Sequence, residues 1–325
     1  MKKSVVLVKN LTKKFKVEEI SDNLSKSIFS RKKYHTIEAV KGISFDIYRE
    51  EFVGFIGQNG AGKTTTLKCL TGLLTPDTGT VEVLGYVPHE RKHSFLQQIS
   101  LLMGNRSQLW WELPAIESFR LNKEIYQIDD NNYNEVLEGM VETLEIKDII
   151  YTPVRKLSLG ERMKCELVMS LLHMPKVLFL DEPTLGLDIL SQQKLRDFLS
   201  YYHQRYNTTT ILTSHNMEDI KNLCKRVIII DKGEILYDGR LSNLTQKFAR
   251  EKYLTFTLPE SRSEKEIGNL GKVLEFNGKL GLILVERNRV RSAVKKLLDD
   301  FNAEDIDIQE PSLENVVKNI FSGKY

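Results

Sequence analysis

The chain has 325 residues, 41% hydrophobic and 28% charged, a globular composition too long for one compact domain, so one large and one smaller unit are expected. Its 47 basic and 44 acidic residues leave a net charge of +3, no strong basic field, and nucleic acid is not expected as a partner. No apolar run approaches the ~18 residues a bilayer span needs, and the run after Met1-Lys2-Lys3-Ser4 ends at Lys9, too soon for a signal peptide. A cytosolic protein is expected, unless a partner carries it to a membrane.

In chain order, residues 5–8 and 43–47 read as strands. Between them, residues 17–36 form a polar insert with a basic knot at Arg31-Lys32-Lys33. Ile20, Leu24 and Ile28 recur there at helical spacing, so two readings stay open: a solvated hairpin insert, or a short amphipathic helix touching headgroups or a partner. Phe52, Val53, Phe55 and Ile56 make an apolar run like a buried strand. Gly57-Gln58-Asn59-Gly60-Ala61-Gly62-Lys63-Thr64 follows, with two glycines, four residues between them, then lysine and a hydroxyl residue. Leu67, Leu70, Leu73 and Leu74 then recur at helical spacing.

Strand, glycine loop and helix is the order a phosphate cradle needs. Gly57, Gly60 and Gly62 can take backbone angles closed to other residues, so the loop can turn its N–H groups inward. A helix starting near Lys63 points its positive end at the same spot. Lys63 is the candidate for the β- and γ-phosphates and the Thr64 hydroxyl for Mg²⁺. Gln58, Asn59, Ala61 and Thr65 complete the candidate nucleotide contacts.

After the turn at residues 75–79, residues 80–84 alternate like a strand. Residues 95–168 read as mostly helical, interrupted at Gly104 and Pro114. Strand character returns at 177–180, 210–212 and 227–230, and Asp231-Lys232-Gly233 turns the last of these into a hairpin. The expected organisation is therefore a core of residues 1–94 and 169–244, a helical insert of 95–168, and an accessory α+β unit of 245–325 with short strands and one helix at 290–301. Cys69, Cys165 and Cys224 lack metal-ligand spacing and are expected to be reduced, buried thiols.

The strand at 177–180 ends in Asp181-Glu182. A buried strand in this position delivers an aspartate to Mg²⁺, the role expected for Asp181, and leaves Glu182 to orient or deprotonate a water. Upstream lies Leu157-Ser158-Leu159-Gly160-Glu161 at a helix start. With this segment the chain resembles the ATP-binding cassette ATPases, whose signature is Leu-Ser-Gly-Gly-Gln. The resemblance implies that Ser158 and Gly160 face the γ-phosphate bound by a second cassette. Leu159 replaces a glycine, so its backbone must avoid glycine-only angles. Glu161 replaces glutamine and adds negative charge near the nucleotide.

Further motifs follow in the family's order. Leu185-Gly186-Leu187-Asp188 resembles the loop that bridges the two sites of a dimer, and Ser214-His215 resembles the switch histidine that contacts the γ-phosphate. The family's Mg²⁺-touching amide falls on Asn105, with Gln108 close by. Its adenine-stacking aromatic falls on Phe15, with Tyr34 as the alternative. The segment 107–114 carries both tryptophans, Trp110 and Trp111, and corresponds to the region that receives the permease; burial inside the helical block is the other reading.

The resemblance covers residues 4–245 and implies an α/β P-loop core with an antiparallel β subdomain and an inserted helical subdomain. It also implies ATP and Mg²⁺ as cofactors, a second copy or paired cassette, and a separate integral-membrane permease that holds the chain at the cytoplasmic face of the membrane. Pro311-Ser312-Leu313-Glu314-Asn315-Val316 is similar to the C-terminal segment of ATPases serving ABC-2-type exporters. A soluble cassette ATPase acting on ribosomes or DNA is the runner-up. A metabolic P-loop kinase does not account for Ser158, Gly160, Asp188 and His215 together.

Overall fold

The protein is represented by a computed structural model that describes residues 3–18, 34–248 and 251–323. Contacts divide it into two compact units, Met1–Asp238 and Gly239–Tyr325.

In the first unit, β1 (Ser4–Glu18) and β2 (Tyr34–Tyr48) form a long antiparallel hairpin, and β4 (Thr78–Val83) pairs with β1 on its other side. Val6, Val8 and Ile47 are buried on one face while Lys9, Lys14 and Lys16 stay exposed, the alternation of a sheet covered on one side. The residues expected as an insert, 17–36, begin and end inside this hairpin. Val17 and Glu18 are strand residues paired with His35 and Tyr34. Ile20, Leu24, Ile28 and the Arg31-Lys32-Lys33 knot lie outside the described residues.

The second sheet runs β5-β6-β7-β3-β8-β9. Its strands are β3 (Phe52–Gly57), β5 (Ile99–Met103), β6 (Val177–Asp181), β7 (Thr209–Thr213), β8 (Arg226–Asp231) and β9 (Glu234–Arg240). Strands β3, β5, β6, β7 and β8 are parallel, and every residue of β3, β6 and β7 is buried, as strands covered on both faces must be. Parallel strands put their carboxyl ends on one edge, so Gly57, Asp181 and Thr213 finish side by side, where open α/β sheets bind ligands. Helix α1 (Lys63–Leu70) packs Leu67 and Leu70 into a core shared with Val6, Val8, Ile47, Phe55 and Phe179. Burying each such side chain contributes about 1.5–3 kcal/mol. The three cysteines are free and buried, and desolvation pushes the Cys69 thiol up to about 11 and Cys165 to about 12.

The helical block needs correction at its start. After α2 (His93–Leu96), residues 99–103 are strand β5, paired in register with β6, and not helix. Five residues, apolar but for Ser100, carry no period that separates a buried strand from a buried helix, and only pairing with β6 decides it. The block proper holds α3 (Ala115–Tyr126), α4 (Asp130–Thr143) and α5 (Leu159–Leu171), and α6 (Ile189–Tyr206) and α7 (Met217–Leu223) follow in the core. Among the described residues no helix is long and apolar enough to cross a membrane.

The second unit begins at Gly239, before the expected boundary at residue 245, and has more helix than one. It contains α8 (Leu241–Phe248), β10 (Glu251–Thr257), α9 (Glu264–Gly268), β11 (Lys272–Phe276), β12 (Leu280–Glu286), α10 (Val290–Asp299), β13 (Asp305–Gln309) and α11 (Leu313–Phe321). The antiparallel order β11-β12-β10-β13 with connectivity βαββαβ is the ferredoxin-like arrangement. Gly281 faces Phe256 across the sheet, and a Cβ there would meet its ring at 2.3 Å. One or two helical turns give too little periodicity to read from sequence, which explains the helices that were not expected.

Candidate nucleotide site

The loop between β3 and α1 closes tightly on itself. Gly62 caps α1 at φ +108°, and a Cβ there would stand 2.5 Å from the Ala39 carbonyl oxygen. Thr66 returns both its N–H and its hydroxyl to Gly62 O at 2.9 Å. Gln58, Asn59 and Gly60 stay exposed at the mouth, while Ala61 and Lys63 are buried. Lys63 folds back over the loop, its Nζ donating to Gly57 O at 2.7 Å and Gln58 O at 3.2 Å. Burial pulls the Lys63 pKa down, and the charges of Glu182 and Asp181 oppose that pull.

Asp181, 6% exposed, accepts the Thr64 hydroxyl at 2.8 and 3.1 Å and the Thr213 hydroxyl at 2.7 Å. Oxygen groups from α1, β6 and β7 thus converge beside the phosphate loop. That donor set suits Mg²⁺, which takes few protein oxygens when phosphates supply the rest. Thr213 was not anticipated from the sequence, because only the pairing of β6 with β7 brings it to Asp181.

Glu182 sits at φ +55°, a strained angle for a side chain of its size, costing about 1–3 kcal/mol. Its N–H is held by Thr213 O and Oγ1, both at 3.1 Å. Its Oε2 accepts the His215 N–H at 3.0 Å, and His215 Nε2 stands 3.1 Å from Oε1 without making a hydrogen bond to it. Oε1 is therefore a buried acceptor with the His215 imidazole at its side and no hydrogen bond of its own. Burial pushes the Glu182 carboxyl up, partly offset by His215 and Lys63.

Asn105 is exposed two residues beyond Met103, the partner of Asp181 in the β5–β6 register. The Gln108 amide donates to Leu101 O at 2.7 Å and is occupied away from that edge. Phe15 pairs with Ile37, two residues before the Ala39 carbonyl that touches the loop. Tyr34 lies five residues from Ala39, ~17 Å along the strand at ~3.4 Å per residue. Along the strand Phe15 is thus nearer the loop than Tyr34.

The signature residues lie at the start of α5. Ser158 is its N-cap, and the pair forms a capping box: Glu161 N donates to Ser158 Oγ at 3.3 Å, while Ser158 N–H and hydroxyl donate to Glu161 Oε2, both at 2.8 Å. Those two donors hold the Glu161 carboxyl below the usual range. Leu159 is the first helical residue and is not among the positive-φ positions, as its side chain requires. Asp188 caps α6 (Ile189–Tyr206) by accepting Ser191 N at 2.9 Å and Ser191 Oγ at 2.6 Å. A Cβ on Gly160 would meet Ser191 Oγ at 2.7 Å, so the signature and the Asp188 loop adjoin within one chain. Leu185, Ile189 and Leu190 around that loop are exposed, as are Trp110 and Trp111.

The model of the ABC transporter family matches residues 40–185. The NatA ABC transporter ATP-binding protein of Bacillus subtilis is 32% identical over 212 residues, 65% of this chain and 86% of that protein. The linearmycin resistance ATP-binding protein LnrL of Bacillus subtilis is 30% identical over 307 residues, 89% of this chain and 96% of that protein. A dimeric ATP-binding cassette solved in a post-hydrolysis state with ADP and phosphate superposes with a TM-score of 0.60 at 20% identity, over 73% of this chain and 98% of that chain, a likeness of fold. With the phosphate loop, the Asp181-Glu182 strand end and these relatives in agreement, the chain belongs to the ATP-binding subunits of ABC transporters.

Proposed function

We propose that this chain, an ATPase of the ABC transporter family, works as one of two cassettes that close on ATP and drive a separate membrane permease. The observation that carries the reading is the meeting of Lys63, Asp181 and Glu182 at one sheet edge, with Glu182 Oε1 buried and unbonded. In this reading the inward N–H groups from Gly57 to Thr65 and Lys63 hold the phosphates, and Phe15 stacks on the base. Thr64 and Asp181, with Asn105 at the rim, would hold Mg²⁺, whose charge would offset that of the bound phosphates. Glu182 accepts the proton of the attacking water or orients it, and His215 donates to the γ-phosphate.

Ser158 and Gly160 complete the γ-phosphate site of the second cassette, at a helix start that favours an anion. Asp188 lies between the two sites of the pair. The exposed Trp110 and Trp111 suit a permease contact, since exposed paired aromatics act as anchors at interfaces. The name of LnrL, a resistance protein, supports export over import. The chain is then held at the cytoplasmic face of the membrane by that contact.

Affinity purification of the tagged chain from its own cells tests this. A multispanning membrane protein is expected to co-purify in detergent and raise the ATPase rate. Recovery with ribosomes, and no membrane protein, would overturn the transporter reading.

A further inference from the structure

Residues 104–113 form a strap that leaves the core sheet at the end of β5 and enters α3. Its first anchor is the nucleotide edge. Gly104 N donates to Asp181 O at 2.8 Å, and a Cβ on Gly104 would stand 2.1 Å from Glu182 O, so only glycine lets the strap approach so closely. Its second anchor is Glu166, on the helix that begins at the signature. Glu166 is 3% exposed. It accepts the Ser107 hydroxyl and the Gln108 N–H at 2.9 and 3.1 Å, with Leu109 N at 3.4 Å. One turn earlier on α5, the Arg162 guanidinium lies 5.7 Å from the centre of the Trp111 ring.

A carboxylate here needs a reason. Its neighbours on α5, Cys165, Leu167 and Val168, are apolar and fully buried, as core positions are. Among the described residues no cation forms an ion pair with Glu166, so the strap's own N–H groups and hydroxyl replace its lost water. A core-filling role calls for no polar group. A clamp on loop N–H groups calls for a buried acceptor.

We propose that Glu166 is a positioning residue that clamps the strap carrying Asn105, Trp110 and Trp111 onto α5, so that the strap and the Ser158 end of that helix move as one body. Asn105 and Arg106 are then strung between two fixed points, Asp181 and Glu166. Only the consequence for a permease rests on the transporter reading; the clamp itself is a property of the single chain.

The two tryptophans of the chain both lie on the strap, so tryptophan fluorescence, excited at wavelengths tyrosine does not absorb, reports the strap alone. In the full-length chain without permease, Glu166→Leu is expected to raise acrylamide quenching about twofold. Glu166→Gln keeps one acceptor oxygen and is expected to restore most of the wild-type value. In the ATPase assay Glu166→Leu is expected to lower kcat about tenfold and leave KM for ATP within about twofold, since the strap orients and does not bind the phosphates. Unchanged quenching in a folded Glu166→Leu protein would overturn the clamp, and raised quenching with unchanged kcat would overturn its link to the nucleotide edge. Hydrogen exchange on the wild-type chain decides the matter even if Glu166→Leu fails to fold. The Gln108 and Leu109 amides are expected to be protected about a hundredfold despite the exposed loop around them, and unprotected amides would refute the proposal. All these measurements use the chain alone, so their failure is distinct from failure of the transporter reading.

Discussion

At the phosphate loop the functional side chains are buried and hold one another, whereas at the signature they are exposed and hold only themselves. Lys63 and Asp181 are 7% and 6% exposed, and their partners are the loop carbonyls, Thr64 and Thr213. These contacts span four elements and are already in place in a single chain. Ser158 has one hydroxyl proton, and Glu161 of the same helix turn accepts it. Asp188 is likewise satisfied by Ser191 three residues on. The first region is a finished half of a site. The second is a capped helix end that, in the proposed pair of cassettes, exchanges its internal partner for a phosphate.

The largest effect expected from this contrast is at Glu182. Glu182→Gln keeps the shape and removes the base, so ATP turnover should fall about 10²–10⁴-fold while ATP binding persists and the ATP-bound dimer lives longer. Steady-state hydrolysis beside size-exclusion chromatography in ATP measures both, and undiminished turnover would remove Glu182 from the mechanism.

The pH profile is the next test. Burial, the largest influence on Glu182, favours its protonated form, and His215 and Lys63 offset this only in part. Because the base must be ionised to work, the rate is lost as pH falls through a pKa raised above the ordinary 4.5. The acid limb of kcat/KM should therefore lie above the usual carboxylate range, with about a tenfold loss per pH unit below it. A limb at the ordinary glutamate position would mean that this buried environment does not govern the chemical step.

The smallest effect is at Glu161. Glutamine can fill the same capping box, so Glu161→Gln should leave the helix intact and remove one negative charge at the signature. The ATP concentration for half-maximal dimerisation should fall about two- to fivefold, the scale of one exposed charge near a helix end. If dimerisation is unchanged, Glu161 acts as a cap and no more, and the two regions differ less than their geometry implies.

Much of this was legible in advance. The glycine loop, the apolar runs at 52–56 and 177–180, and Asp181-Glu182 all announce themselves because burial on both faces of a parallel sheet demands unbroken apolar stretches. The residues that failed to announce themselves share a cause. Ile99 to Met103 read as helix because five mostly apolar residues have no distinguishing period, and the hairpin of β1 and β2 extended into what looked like an insert because polar residues form an exposed ribbon as readily as a loop. Thr213, Gly104 and Glu166 carry no local signal, since each matters only through a partner 32, 77 or 59 residues away.

The sequence by itself determined that a phosphate group is held and which chemistry meets it, because those requirements are local: a glycine turn, a helix start, a carboxylate at a strand end. Only the tertiary structure decided that Phe15 lies nearer the loop along its strand than Tyr34, that Ser158 is internally capped, and that a buried glutamate ties the strap to the signature helix. Those facts depend on strand register and on which helix face meets which loop, and register is set by the packing of the whole core.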